Sequence, residues 1–223
     1  MNVVQETLWA VARGLPLTVG IWLASVATGV VVGVLIGCFR HFGPRPVNAL
    51  LAVLVETVRG VPFLVQAFLL YYGGPFIGLD LTPILAGWLA LSIYAAAYFS
   101  EVFRGGFRAI PPGHTEAARL LGLSTPQTIA RILLPEMALS VLPALANLAV
   151  ILVKETAILS IITVPELTFT VSGVGSATFA FAQTMAALAI GYWILVELTA
   201  WGARALERAI ARATLGTDRA AIA

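Results

Sequence analysis

Long apolar stretches alternate with short polar interruptions along the chain, and the first stretch is the clearest, because no charged residue occurs from Gly14 to Phe39. At about 1.5 Å of rise per residue, a helix of that length crosses a hydrocarbon core of about 30 Å. Comparable stretches run from about Leu50 to Gly73, Pro83 to Phe103, Leu139 to Ile162 and Ala182 to Arg204. The pattern predicts five membrane-spanning helices, at residues 15–38, 50–73, 83–103, 139–162 and 182–204, in one all-α bundle occupying residues 1–223. Five crossings place the termini on opposite sides. The first span lacks a basic leader and is longer than a signal-peptide apolar core, so it reads as retained.

Within that span Ser25, Gly29, Gly33 and Gly37 recur every four residues. A ladder of small side chains lets a second helix approach closely and marks a packing face. The polar interruption at residues 104–138 reads differently. Pro111, Pro112 and Gly113 end the extension of the third span, and Glu116 to Leu121 then form a short helix with Ala117, Leu120 and Leu121 on one face. Gly122 can close that helix in the left-handed conformation. Ser124 with Gln127 matches a capping box that starts another helix, Pro126 suits its first turn, and Pro135 disturbs it before the fourth span. So short a helix cannot bury its own apolar face. Either a groove on a soluble partner or the membrane surface would cover it, and the residues alone leave both readings open.

Charge orients the bundle. Arg40, His41 and Arg45 lie between spans one and two, Arg104, Arg108, His114, Arg119 and Arg131 between three and four, and Arg204, Arg208 and Arg212 follow span five. The opposite connections, residues 74–82 and 163–181, carry Asp80 and Glu166 and no basic residue. Basic loops stay in the cytoplasm, so the N-terminus is expected outside and the C-terminus inside, with Arg13 as a mild exception. Composition agrees with a membrane bundle, being 60% hydrophobic and 11% charged with a net charge of +2. Such a chain has no clustered basic face for nucleic acid.

Candidate chemistry is defined largely by exclusion. Lys154 is the only lysine and follows Val153, so no phosphate-binding Gly-Lys-Ser/Thr loop is possible, and neither histidine sits in a zinc-binding HExxH helix. Cys38 is the only cysteine, which rules out an intrachain disulfide and reads as a small buried apolar residue. No catalytic residue and no metal site is expected. Charges inside the spans are the remaining clue, because each costs about 2.5–3.5 kcal/mol at mid-membrane. Glu56 and Arg59 share a helix face with Gln66 seven residues beyond, and Ser140, Asn147 and Lys154 recur every seven residues next to Glu155. Both polar stripes are expected to face the bundle interior. The candidate substrate path is therefore Lys154, Glu155, Arg59, Gln66, Asn147 and Glu56. In the competing structural reading Arg59 is neutralised by Glu56, and Lys154 by Glu155 or a neighbouring helix. Tyr94, Tyr98 and Glu101 line one face of the third span and read as packing.

The segment Glu116 to Pro135 resembles the EAA-xxx-G-x9-I-x-LP loop of permease subunits in binding-protein-dependent ATP-binding-cassette importers, at Glu116, Ala117, Ala118, Gly122, Ile132, Leu134 and Pro135. LVETVRGVPFLVQAFLLYYG from Leu54, the stretch Ala96 to Ser124, and VKETAILSIITVPEL from Val153 are similar to segments of the polar amino acid permeases in that superfamily, with Val61 where Thr is usual. The resemblance implies a five-helix subunit that pairs with itself or a similar subunit and receives a polar amino acid from an extracytoplasmic binding protein. It also implies coupling to a separate cytoplasmic ATPase dimer through Glu116, Ala117, Ala118, Arg119, Leu120, Leu121 and Gly122. ATP and Mg would be held by that ATPase, with no cofactor on this chain. Residues 163–181 would be a docking surface for the binding protein, where composition alone reads a loop. Rival readings are a permease for another small polar solute and a stand-alone secondary carrier. Many secondary carriers are built from paired repeats, and none is visible in this sequence, so the cavity needs a second subunit.

Overall fold

Asn2 opens the first helix, α1 (Val3–Phe42), by accepting the Val4 amide on its side chain, and Gly43 closes it with an N–H bond to the Phe39 carbonyl at 2.9 Å. In this computed structural model the backbone is described for residues 2–221 and side chains for residues 2–210; the side chain of Arg212 lies outside the described residues. At 40 residues, α1 exceeds the predicted span at both ends. Its buried side is one stripe: Thr7, Ala10, Gly14, Thr18, Ile21, Ser25, Gly29, Gly33, Gly37 and Arg40. The predicted ladder is the middle of that stripe, and it packs on α4 (Pro83–Ala109). A Cβ at Gly33 would lie 2.8 Å from Phe99 Cβ, and one at Gly29 would lie 2.6 Å from Ala95 Cβ, so the two backbones are as close as glycine allows.

The second predicted span is not one helix. α2 (Arg45–Gly60) gives way to α3 (Phe63–Gly73), and the stretch Phe63–Ile77 that α3 opens is bent from α2 by 101°. Pro62 has no amide hydrogen and disfavours helical geometry in the residue before it, which leaves Val61 extended at φ −96° and ψ 131°. The apolar run continues through the break, so hydropathy alone reads straight across it. A 3₁₀ turn, Gly74–Ile77, follows α3.

Thr82 caps α4 by accepting the Leu85 amide, and α4 is the most enclosed helix, with Ala86, Leu91, Ala95 and Phe99 fully buried. Around it gather α1, α2, α3 and α7 (Leu134–Glu155). Met137, Leu159 and Ile162 complete the main core. Between α4 and α7 come α5 (Pro112–Leu120), α6 (Thr125–Thr128) and a π-helical turn, Ile129–Leu133, that ends just before Pro135. That is the predicted proline disturbance, taken up by widening the helix where an amide is missing. Trp22 of α1 donates its indole N–H to the Ala149 carbonyl of α7 at 2.8 Å, tying the outer helices across the core.

After a 3₁₀ segment, Thr156–Ile162, the stretch read from composition as a loop contains a helix, α8 (Leu167–Thr178). Glu166 supplies its cap by accepting the Phe169 amide at 2.8 Å. A second small core of Ala10, Leu167, Val171 and Leu188 fastens α8 between α1 and α9 (Phe181–Ala221). Packing on two helices outweighs the modest helix propensity of its threonines and glycines. Among the described residues α1, α4, the stretch Thr125–Ile162 and α9 are each long and apolar enough to cross a membrane, and the bent α2–α3 pair is the fifth candidate. Leu23, Val31, Leu35, Leu50, Trp193 and Leu198 are more than half exposed, the surface expected of a lipid-facing belt.

Candidate functional site

At the end of the bundle that carries Arg40, Arg45, Arg104 and Arg108, α5 stands out because of what it leaves uncovered. Pro111 is extended and Pro112 begins the helix without wasting an amide. Its far end closes by a two-bond motif: the Gly122 N–H reaches the Arg119 carbonyl at 3.0 Å and the Leu123 N–H reaches the Ala118 carbonyl at 3.1 Å. Gly122 holds φ +75°, the left-handed conformation predicted for it. The capping box of Ser124 and Gln127 is formed as well.

The predicted apolar face of α5, Ala117, Leu120 and Leu121, is left uncovered by the rest of the chain's described residues. Ala118 is the residue the helix buries, whereas Glu116, Ala117 and Arg119 are exposed, Leu120 is 90% exposed and Leu121 is 78% exposed. Two bare leucines beside a cap whose backbone bonds are satisfied form an unpartnered apolar knob. His114 Nδ1 lies 2.7 Å from Glu136 Oε2 and pins α5 to the start of α7, a tie that spacing did not suggest.

The in-span polar residues fall into two groups. On α7, Ser140, Asn147 and Lys154 are all exposed, so that stripe points away from the chain's own bundle and not into it. α4, α9 and α1 pack on α7, and the described residues leave Ser140, Asn147 and Lys154 uncovered. Lys154 enters no ion pair among the described residues, and Glu155 beside it is half-buried. On α2, Arg59 Nη1 lies 3.6 Å from Glu56 Oε1, a loose, solvent-accessible pair. The Arg59 guanidinium also sits 5.2 Å from the centroid of the Tyr98 ring, and its Nε is buried without a hydrogen-bond partner. Tyr98 stacks at a tilt on Tyr94, with centroids 4.6 Å apart, and Tyr94 in turn meets Phe63 of α3. Glu155 is within electrostatic reach of Tyr94. Arg59, the two tyrosines and Glu155 thus form one polar and aromatic wall on the α2–α4–α7 side.

Gln66 is engaged by the backbone on either side of Arg59. Its amide donates to the carbonyls of Val58 at 2.7 Å and Val61 at 2.8 Å, across the α2–α3 break. Glu101 is not part of the tyrosine packing face: it takes Arg40 of α1 on one oxygen and Arg104 Nε on the other at 3.1 Å. Arg40 is 7% exposed. Its position three residues after Gly37, on the ladder's own face, was the signal that it turns inward. Among the described residues no cluster of three or more His, Cys, Asp or Glu is placed to hold a metal ion.

A profile of the binding-protein-dependent transport system inner membrane component family matches residues 29–212. A probable amino-acid ABC transporter permease protein of Bacillus subtilis is 32% identical over 203 residues, which is 91% of this chain and 90% of that protein. The glutamine transport system permease protein of Escherichia coli K12 is 33% identical over 198 residues, covering 88% and 90%. A crystal structure of an amino acid ABC transporter with histidines superposes with a TM-score of 0.84 at 28% identity, covering 93% of this chain and 98% of that one.

Fold and sequence together define the class, a multi-pass membrane permease and not an enzyme. Within that class, the chain belongs to the binding-protein-dependent transport system inner membrane components.

Proposed function

We propose that this chain is the permease subunit of an ATP-binding-cassette importer for a polar amino acid, with its N-terminus outside and its C-terminus in the cytoplasm. The observation that carries the reading is the bare Leu120–Leu121 knob on α5, closed by Gly122, at the basic end of the bundle. Basic ends remain cytoplasmic, which is where an ATPase subunit with a surface groove meets it. Helix-in-groove docking draws affinity from buried apolar anchors and register from the flanking charges, here Glu116 and Arg119. ATP and its Mg belong to that ATPase, and this chain binds neither.

The substrate path runs along the exposed Ser140–Asn147–Lys154 stripe, and a second permease subunit, a copy or a similar chain, supplies the facing wall. Amino acids carry a carboxylate and an ammonium, for which Lys154 and Glu155 are complementary partners, with Arg59 and its pair Glu56 on the adjoining helix. Gln66 acts on this path by fixing the bend in the α2–α3 pair. The similar proteins named for amino-acid and glutamine transport support the substrate class. The binding protein docks on the opposite end, on α8 and its flanks, residues 163–181.

Replacing both Leu120 and Leu121 by Asp tests the docking. Co-purification of the ATPase encoded with this permease should fall at least tenfold while the permease remains in the membrane. Undiminished co-purification would remove α5 from the contact.

A further inference from the structure

Beneath α5 lies a cavity of about 430 Å³, between the last turns of α1 and α4 and the α5–α6 connection. It is separate from the Leu120–Leu121 knob, since neither leucine lines it. Its walls come from α1, α4 and α5, and from α6 and the π-helical turn, which add Thr125, Thr128, Ile129 and Leu133. α1 contributes His41 and Phe42, α4 contributes Phe107 and Arg108, and α5 contributes Thr115 and Arg119. No carboxylate lines it, and neither Arg108 nor Arg119 enters an ion pair among the described residues. The aromatic side is ordered: the His41 ring stacks on Phe107 at 5.5 Å between centroids, and Phe42 meets Phe107 edge-on at 5.1 Å. The result is a concave site with two guanidinium groups outside any ion pair, three threonines and an aromatic floor.

Guanidinium groups without partners select planar or tetrahedral oxyanions, and phosphate accepts several charge-assisted bonds at once. The volume falls in the range of small-ligand sites, larger than a bare inorganic ion needs. Phe42 and Phe107 give the remaining space an apolar lining suited to the organic group a phosphate ester carries. The site also lies just past the predicted end of the first span, at the basic end of the bundle, and anionic headgroups concentrate against basic pockets at that depth.

We propose that this cavity binds a phosphate ester, with Arg108 and Arg119 as its charge contacts and the His41–Phe42–Phe107 cluster against its organic part. An occupant bridges α4 to α5, so it also sets how firmly α5 is held to the bundle. Two sources can supply the group, an anionic phospholipid headgroup or a soluble phosphate.

The test is the unfolding midpoint of the detergent-solubilised permease–ATPase complex, titrated separately with short-chain phosphatidylglycerol and with inorganic phosphate. Wild type and Arg45→Gln, a basic residue outside the cavity, should rise by several degrees. Arg108→Gln and Arg119→Gln should each lose most of that rise, whereas Arg108→Lys should keep much of it. Phosphate held by the ATPase shifts every variant alike, so the difference between variants is the readout. A rise with the lipid alone assigns the site to the membrane, and a rise with both assigns it to soluble phosphate as well. Equal shifts in wild type and both glutamine variants, or no shift in wild type, would overturn the proposal. If one glutamine variant fails to assemble, the other carries the readout, and a wild-type-sized rise in it overturns the proposal. Docking of α5 is scored by ATPase retention, and Arg108, which takes no part in that docking, carries the midpoint readout, so the two readings fail independently.

Discussion

Gln66 donates its side-chain amide to the carbonyl of Val58, the acceptor that the missing N–H of Pro62 would have satisfied four residues on. The same amide nitrogen reaches the Val61 carbonyl, so one side chain restores bonds lost at the bend. Polarity in a hydrophobic segment was legible in the sequence, but its use was not. Replacing Gln66 with Leu leaves both carbonyls unmatched and should cost about 1–2 kcal/mol. Gln66→Glu, which cannot donate when ionised, should fail similarly. The check is the unfolding midpoint of the permease together with solute uptake, both of which should drop; an unchanged midpoint removes the bridging role.

Lys154 stands at the end of the exposed α7 stripe without an ion-pair partner among the described residues. A charge outside any close ion pair can be removed without leaving a bonded partner behind. Lys154→Ala should leave assembly with the ATPase intact and lower uptake about tenfold or more, the loss expected for one charge-assisted contact. Uptake in proteoliposomes at wild-type level would take Lys154 out of the path.

Glu166, fully buried, lies in the connection before α8. Burial raises its pKa above the ordinary carboxylate value, although the Thr168 and Phe169 amides and the Tyr192 hydroxyl favour the ionised form. An acid whose pKa is raised on folding binds its proton more tightly in the folded state. Its contribution is therefore complete below the unfolded-state pKa and is lost as pH climbs through the raised value. Glu166→Gln keeps an acceptor for the Phe169 amide and carries no charge. The difference in unfolding midpoint between variant and wild type should move in the variant's favour from about pH 4 upward, starting near the ordinary Glu pKa. A difference independent of pH would show that burial of this carboxyl is not coupled to stability.

Much of this architecture was written in the spacing of small and charged residues. The Gly29–Gly33–Gly37 ladder predicted a close helix contact because only packing asks for small residues at that period, and α4 occupies it. Gly122 and the Ser124–Gln127 box were legible for the same reason, that backbone geometry demands them. What hydropathy missed were features that leave apolar character unchanged. The break at Pro62 interrupts a helix without interrupting its hydrophobicity, although Gly60, Val61 and Pro62 together carry the signal. α8 was hidden because tertiary packing, and not propensity, makes it a helix. The α7 stripe was assigned inward because periodicity says that a face is polar without saying which neighbour it lacks.

Gly122 joins the fold to the central claim, because its φ of +75° is what turns the chain after the Leu120–Leu121 knob. A β-branched side chain there costs about 1–3 kcal/mol of strain and should swing the knob out of register. The decisive measurement takes the Gly122→Val permease with its ATPase in proteoliposomes and reads solute uptake and binding-protein-stimulated ATP hydrolysis in the same vesicles. If energy enters this chain through α5, both should collapse while the ATPase keeps its unstimulated rate. Normal uptake together with normal stimulation would contradict the account.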